Sequence, residues 1–267
     1  MLELLQFEFM RNAVIAGIVV SLICGVIGTL VVVNRLVFLS GGIAHAAYGG
    51  IGIAFFFGLP YLPCTLVFSI LAAFAMAQLT ESSKHRSDTV IGVLWAAGMA
   101  LGVILLDLTP GYNVDLMSYL FGSILTVPSS DIYMMSILGA GILIAVALFY
   151  NDLLAMSYDE EFALLRGVPV KVLYFMLIGM IALSVVMTIQ VVGLILVIAL
   201  LTIPPYIAEK HCRSLKMMMV LSALLSMAFT LAGLWISYLL NLSSGATIIL
   251  VAVAGFFLEK TGSHLKY

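Results

Sequence analysis

Apolar residues run along this chain in long blocks, and short polar interruptions separate one block from the next. An α-helix rises 1.5 Å per residue, so about 20 apolar residues are needed to cross a bilayer. By that measure the blocks predict crossings at about 12–33, 40–58, 62–80, 88–107, 131–150, 171–188, 190–206, 217–239 and 245–258. The predicted fold class is an all-α integral membrane protein, a polytopic bundle of about nine helices in a single domain over residues 1–267.

Two stretches of this pattern do not simply predict one membrane crossing each. The gap between the sixth and seventh blocks is so short that the two could form one broken element, which would lower the count to eight. Between the fourth and fifth blocks lies the segment from Leu108 to Ser130, which is rich in Pro, Gly, Asn and Ser. Its half-apolar piece, Leu116 to Leu125, is too short to cross and predicts a re-entrant or interfacial segment.

Composition excludes several classes of protein. Of the 267 residues, 64% are hydrophobic and 9% are charged, whereas a soluble domain averages about 45–50% apolar and about 25% charged residues. So few charges cannot solvate a water-soluble enzyme, and a disordered chain would be polar and highly charged. The net charge of −2 gives no sign of nucleic-acid binding.

The basic residues predict the orientation, because Lys and Arg favour the cytoplasmic side of a membrane. With nine crossings, the N-terminus outside and the C-terminus cytoplasmic, Arg11 is the one basic residue left on the outer side. The others all fall on the inner side: Arg35, Lys84, Arg86, Arg166, Lys171, Lys210, Arg213, Lys216, Lys260 and Lys266.

One inner segment has the pattern of a short capped helix. Ser157, followed three residues later by Glu160, fits a capping box. Gly167 fits the C-terminal cap, and Pro169 prevents the helix from continuing. Three acidic residues suit a helix N-terminus, where the helix dipole favours negative charge: Asp159, Glu160 and Glu161.

The same segment presents an apolar face with Phe162 and Leu165, opposite a charged face that includes Arg166. One interpretation is an amphipathic helix lying on the lipid interface. Such helices are usually rich in Lys and Arg, however, and this one has a single Arg and three acids. The pattern therefore favours a helix whose apolar residues dock into a groove of another protein.

Several pieces of the chain form a pattern in their order and spacing. The pieces are Phe9 to Ala13, Cys24 to Gly28, Arg35 to Leu39, Ile43 to Ala46, Asp115 to Gly122, Asp159 to Gly167, and Val192 to Val197 running on to Pro204 and Pro205. In this order and spacing they resemble the permease subunits of bacterial ATP-binding-cassette importers for zinc, manganese and iron, and the likeness covers essentially the whole chain.

This resemblance implies a set of partners in a bacterial or archaeal cytoplasmic membrane. They are a second copy of the chain, two ATPase subunits below, an extracytoplasmic metal-binding protein above, and the surrounding lipid. The Ser157–Gly167 helix would be the coupling helix that enters the ATPase groove. The sequence has no glycine-rich phosphate loop ending in Gly-Lys-Ser/Thr. We therefore expect a transport subunit that is not itself an enzyme and binds no cofactor, with ATP and Mg used by the partner.

His45 is the main candidate for the transport path. It lies ten residues after Arg35, which on a continuous helix is roughly 15 Å deep, and ionisable groups at that depth are functional candidates. The resemblance implies that a carboxylate four residues earlier shares the metal with this His, but Gly41 occupies that position. His45 is either a pathway ligand or gate, or a His hydrogen-bonded to a neighbouring helix. Tyr48, three residues later, either lines the same helix face as His45 or simply packs inside the protein.

Four residues are candidates for the outer entrance. Asp107 and Asp115 flank the Leu108–Ser130 loop and could attract cations, although acids near helix ends are usually just solvated. Tyr119 and Phe121 could belong to an outer gate, and the alternative is an interfacial aromatic anchor.

The predicted function is a permease that moves a divalent transition metal (Zn, Mn or Fe) into the cytoplasm through a homodimer interface. The main alternative is an ion-gradient-driven secondary transporter or channel that needs no ATPase. That alternative predicts paired charges at mid-membrane and often inverted repeats. The sequence offers His45 there and no visible repeat. A structural membrane assembly factor is a third possibility.

Overall fold

The computed structural model describes residues 7–82, 86–110, 122 and 124–264, and within these ranges the chain is helical. The helices are α1 (Glu8–Val33), α2 (Val37–Phe56), α3 (Tyr61–Ser82), α4 (Ser87–Asp107), a 3₁₀ turn (Ile124–Thr126), α5 (Ser129–Leu148), α6 (Tyr150–Tyr158), α7 (Glu160–Leu165), α8 (Val170–Val192), α9 (Leu194–His211), α10 (Leu215–Leu240) and α11 (Ser244–His264).

Nine of the described helices are long and apolar enough to cross a membrane. They are α1 to α5 and α8 to α11, and they coincide with the nine predicted blocks, so the predicted all-α membrane fold is confirmed. The sixth and seventh blocks are separate helices because the chain breaks at Gly193. The φ of 81° and ψ of 162° at this residue belong to a backbone region that is essentially restricted to glycine.

The chain divides into two compact units. The first consists of Met1–Asn34, Met117–Leu148 and Thr188–Tyr267, and the second of Arg35–Leu116 and Phe149–Met187. Each unit thus combines stretches that are distant in the sequence. The single domain over 1–267 that the sequence pattern predicts stays a prediction.

In the first unit, α1 packs against α10, α9 and α5. Its contact with α10 is close because Gly25 lies directly against Ala223, where a Cβ on the glycine would be 2.7 Å from the Cβ of Ala223. The hydroxyl oxygens of Ser21 and Thr230 lie 3.2 Å apart across this contact and share a hydrogen bond. Small residues thus let two membrane helices approach closely enough for their buried polar groups to pair.

The start of α1 also holds the segment that precedes α5. The Asn12 side-chain amide donates to the carbonyl oxygen of Val127 at 3.3 Å and to the Ser129 hydroxyl at 3.2 Å. Ile124, in the 3₁₀ turn, is 1% exposed. Most of the predicted re-entrant or interfacial segment, Leu116 to Leu125, lies outside the described residues, and it stays a prediction.

In the second unit, α2 packs against both α4 and α3. The rings of Phe74 and Phe175 meet edge to face at 5.7 Å between centroids, which joins α3 to α8. The Lys171 ammonium lies 3.8 Å from the Glu81 carboxylate at the ends of the same two helices, and both side chains are exposed. A pair so exposed to solvent adds little stability, so apolar packing holds this unit together.

Candidate functional site

His45 lies in α2 and stacks on Trp95 of α4. The centroids of the two rings are 4.1 Å apart and the ring planes differ by 12°. The His45 residue is half-buried, and its Nδ1 is buried with no hydrogen-bond partner among the described residues. The contact of His45 with the neighbouring helix is therefore a ring stack and not an Nδ1 hydrogen bond. A role as pathway ligand or gate stays a prediction.

Glycines on both helices allow this stack, because they bring the backbones of α2 and α4 together. A Cβ on Gly98 would lie 2.8 Å from the Cα of Ala46, and a Cβ on Gly52 would lie 2.6 Å from the carbonyl oxygen of Gly102. Ala46 follows His45 directly, and Gly98 is three residues after Trp95. The close approach thus occurs at the level of the two rings.

Sequence reasoning missed Trp95. The signal that could have found it is depth, since His45 and Trp95 each lie eight residues after the first residue of their helix. Both helices begin on the predicted cytoplasmic side, so residues at equal distance from the helix start reach the same level of the membrane. Depth alone does not say which residues of two helices face each other.

Tyr48 and Gly41 flank His45 on α2. Tyr48 is 2% exposed, and its backbone carbonyl lies against Gly102, so the residue belongs to the α2–α4 packing. Gly41 is half-exposed and supplies no side chain to the helix face of His45. Across the described residues, no three side chains of His, Cys, Asp or Glu come together as a metal-binding group. One copy of the described chain thus offers an isolated imidazole at this position.

Of the predicted entrance residues, the structure places one. Asp107 is the last residue of α4 and is exposed. Asp115, Tyr119 and Phe121 lie outside the described residues, and their roles at an outer gate or entrance stay predictions.

The predicted coupling helix begins later than expected. Ser157 belongs to α6, and the next helix, α7, starts at Glu160. The residue between the two helices, Asp159, has φ −151° and ψ 89°, and its side chain accepts the backbone N–H of Phe162. The capping box predicted for Ser157 and Glu160 is therefore wrong. Asp159 is the N-cap, since an extended residue with a short acceptor side chain can end one helix and cap the next.

The predicted C-terminal cap at Gly167 is confirmed. Its φ is 75°, in the left-handed region. The N–H of Gly167 donates to the carbonyl of Leu164 at 2.9 Å, and the N–H of Val168 donates to that of Ala163 at 3.0 Å. These two bonds form a Schellman motif, which satisfies the last carbonyls of the helix. The six-residue helix α7 is thus closed at both ends by its own sequence.

This capped helix exposes apolar side chains. Leu165 is 88% exposed, Leu164 57% and Phe162 50%, whereas Ala163 is fully buried. The Arg166 guanidinium carbon lies 5.7 Å from the centroid of the Phe162 ring. We call Phe162, Leu164 and Leu165 the apolar knob. Glu160, Glu161 and Arg166 surround it and are exposed. Large apolar side chains fixed on a short rigid helix are typical of a docking surface.

Comparison with known proteins places these features in a family. The sequence model of the ABC 3 transport family matches residues 6–261. An uncharacterized membrane protein of Synechocystis sp. is 51% identical over 259 residues, which cover 97% of this chain and 92% of that protein. The manganese import system permease protein ScaB of Streptococcus parasanguinis is 34% identical over 254 residues, covering 95% of this chain and 90% of ScaB.

A solved structure has the same fold. PsaBC from Streptococcus pneumoniae in complex with Fab matches this chain with a TM-score of 0.87 at 33% identity, covering 97% of this chain and 93% of the matched one. The family match, the sequence relatives and the shared architecture of membrane-spanning helices agree. The chain therefore belongs to the ABC 3 transport family and is a transmembrane permease subunit of that family.

Proposed function

We propose that this chain is the permease subunit of an ATP-binding-cassette importer that moves a divalent transition metal into the cytoplasm. Similar proteins from Streptococcus parasanguinis and Halalkalibacterium halodurans are named for manganese import and manganese transport. The observation that carries the proposal is the apolar knob on α7, where three large apolar side chains are exposed on a helix capped at both ends. It supports docking to an ATPase subunit, which would hydrolyse ATP with Mg while this chain performs no catalysis.

The proposed route runs between two copies of the chain, past His45 of each. The donor chemistry bears on the choice among zinc, manganese and iron. Imidazole suits zinc and iron, whereas manganese is bound well by carboxylate, carbonyl and water oxygens. Gly41 provides no carboxylate beside His45, and this favours zinc over the manganese in the names of the relatives. An extracytoplasmic metal-binding protein would deliver the ion to the outer loops, including Leu108 to Ser130.

The test is an association and transport assay in proteoliposomes on the chain together with its ATPase and its extracytoplasmic metal-binding protein. Phe162→Asp and Leu165→Asp place a charge on the apolar knob, and we expect each to abolish ATPase binding and ATP-dependent metal uptake. Met217→Asp is the matched control. Met217 is also exposed, at 61%, and lies near the start of α10 on the predicted cytoplasmic side.

Unchanged ATPase binding in both knob variants would contradict the coupling role. The alternative function, an ion-gradient-driven transporter, makes the opposite prediction for the transport assay. It expects metal flux into vesicles that contain this chain alone, without ATP. Uptake of zinc, manganese and iron measured in competition would identify the preferred ion.

A further inference from the structure

The indole of Trp95 contacts two rings that α2 presents on one face. Phe38 and His45 are seven residues apart, which is two helical turns and about 10 Å along the axis. Trp95 enters from α4 with its centroid 6.1 Å from that of Phe38 and 4.1 Å from that of His45. Its plane is tilted by 55° from Phe38 but only by 12° from His45. The indole thus stacks on the imidazole of His45 and makes a tilted contact with the ring of Phe38.

Trp95 is itself held in place by its own helix. The indole Nε1–H donates to the Sδ of Met99, one turn later, at 3.2 Å. The close backbone approach at Gly98 and Ala46 prevents α4 from moving away from α2 without losing packing. The Phe38 ring adds a second aromatic contact, with its centroid 6.1 Å from that of the indole. Trp95 therefore offers His45 a flat surface with a fixed position.

The imidazole of His45 needs such a surface because no hydrogen bond orients it through Nδ1. In proteins, a His that binds a metal through one nitrogen almost always donates the other ring N–H to a carboxylate or carbonyl, and that bond sets the plane of the ring. Nδ1 of His45 is buried and has no such partner among the described residues. Gly41 adds no carboxylate on this helix face. Stacking on Trp95 is the contact that remains to define the ring plane.

We propose that Trp95 is a positioning residue for metal binding by His45. Its indole holds the imidazole plane and takes the place of the missing hydrogen-bonded partner, so that a ring nitrogen is presented to the divalent cation. This inference rests on the proposed function, in which His45 contacts the cargo. Both residues lie in the second compact unit, so each copy of the chain carries its own pair.

The kinetic test compares Trp95→Ala with Trp95→Phe in proteoliposomes that contain the chain and its ATPase, with Zn²⁺ as the probe. Trp95→Ala removes the stacking surface, and we expect KM for Zn²⁺ to rise by about 10–100-fold, the usual effect of losing a residue that orients a metal ligand. The maximal rate should change much less. Trp95→Phe keeps an aromatic ring and should restore most of the affinity.

The matched control is Trp235→Ala, which removes the other tryptophan of the chain, in α10. We expect KM to be unchanged in this variant. A purely structural role for Trp95 would lower the amount of folded protein and the maximal rate while leaving KM unchanged. That result would overturn the proposal, because KM does not depend on how much protein has folded.

A second measurement follows the fluorescence of Trp95 beside His45 and does not require transport. Trp235→Phe leaves Trp95 as the single tryptophan of the full chain, so its fluorescence reports on the His45 stack. We expect Co²⁺, a quenching ion, to lower the emission with a saturable dependence on concentration. Adding His45→Ala should abolish this response. A response that persists in His45→Ala would overturn the proposal.

The two proposals fail in different ways. If His45→Ala and Trp95→Ala both leave KM for Zn²⁺ unchanged, the route past His45 is wrong and the positioning role falls with it. If His45→Ala raises KM and Trp95→Ala does not, the proposed route stands and the positioning role alone is overturned.

Discussion

The Asp159 carboxylate accepts the backbone N–H of Phe162 at 2.9 Å, and this bond fixes the start of α7. Phe162 supplies the aromatic ring of the apolar knob. Its backbone is therefore held by the residue that separates α6 from α7, while its side chain is free to contact a partner. The knob depends on the cap because a helix of six residues has no stability of its own in water.

Removing this cap should weaken docking without touching the knob. We expect Asp159→Ala to destabilise α7 by about 0.5–2 kcal/mol, the usual cost of losing an N-cap side chain, and to lower the affinity for the ATPase. Asp159→Ser keeps a capping oxygen and should restore most of it. The measurements are amide hydrogen exchange at Phe162 and ATPase binding.

Glu161→Gln serves as the control for charge, since it removes an acid from the first turn of α7 but leaves the cap in place. It should have a small effect on hydrogen exchange. If Glu161→Gln and Asp159→Ala weaken binding equally, the charge of the segment matters and the cap does not.

The C-terminal cap leads to a second prediction. At φ 75° a side chain on Gly167 is strained although no atom lies within 4 Å of the position its Cβ would take, and we expect Gly167→Ala to cost about 1–2 kcal/mol. Gly167→Asn should cost less because Asn tolerates this conformation. Hydrogen exchange in α7 and ATPase binding are the measurements. Gly92→Ala is the control, since Gly92 also has open space but lies inside α4 without a positive φ.

A third prediction concerns the contact between α1 and α10. Gly25→Val would drive a branched side chain into the backbone of Ala223, and overpacking of this kind costs about 1–3 kcal/mol or more. We expect a lower melting temperature and a lower yield of purified protein. Gly141→Ala in α5, where the new methyl group meets nothing within 4 Å, should leave both unchanged or improved. Equal melting temperatures for the two variants would contradict this account of the helix contact.

A fourth prediction restores the missing carboxylate. Gly41→Asp places an acid one helical turn before His45, on the same face. A charge-assisted contact of about 1.5–3 kcal/mol corresponds to about 10–100-fold in affinity, and we expect a gain in that range for divalent metal binding by calorimetry. Gly41→Asn matches the size without the charge and should give a smaller gain. An unchanged affinity in Gly41→Asp would place the cation away from this face of α2.

A fifth prediction tests the orientation. In a variant without Cys24, Cys64 and Cys212, a single cysteine at the exposed Glu161 should react with a membrane-impermeant thiol reagent only after the cells are opened. A single cysteine at Asp107, which is exposed at the far end of α4, should react in intact cells. The reverse pattern would place α7 outside the cell and would exclude its docking to a cytoplasmic ATPase.

The approximate positions of the membrane-spanning helices follow from the sequence, whereas the choice between eight and nine was decided by the break at Gly193. A crossing is defined by the length of an apolar block, and that length is a property of neighbouring residues. The same holds for Gly167, whose place after a short amphipathic segment was enough to predict the cap. The N-cap of α7 was misplaced by two residues because Ser157 and Asp159 can both cap a helix, and the choice depends on where α6 ends.

The arrangement around His45 was decided by the tertiary structure. Membrane helices such as α2 are apolar on nearly every face, so hydrophobic periodicity does not show which side meets a neighbour. The stack on Trp95 requires the rotation of two helices about their axes, and that rotation is set by glycine contacts between residues about 50 positions apart. The sequence alone determined where the apolar spans lie and that a capped segment lies between two of them. Which side chains meet inside the membrane depended on packing between distant parts of the chain.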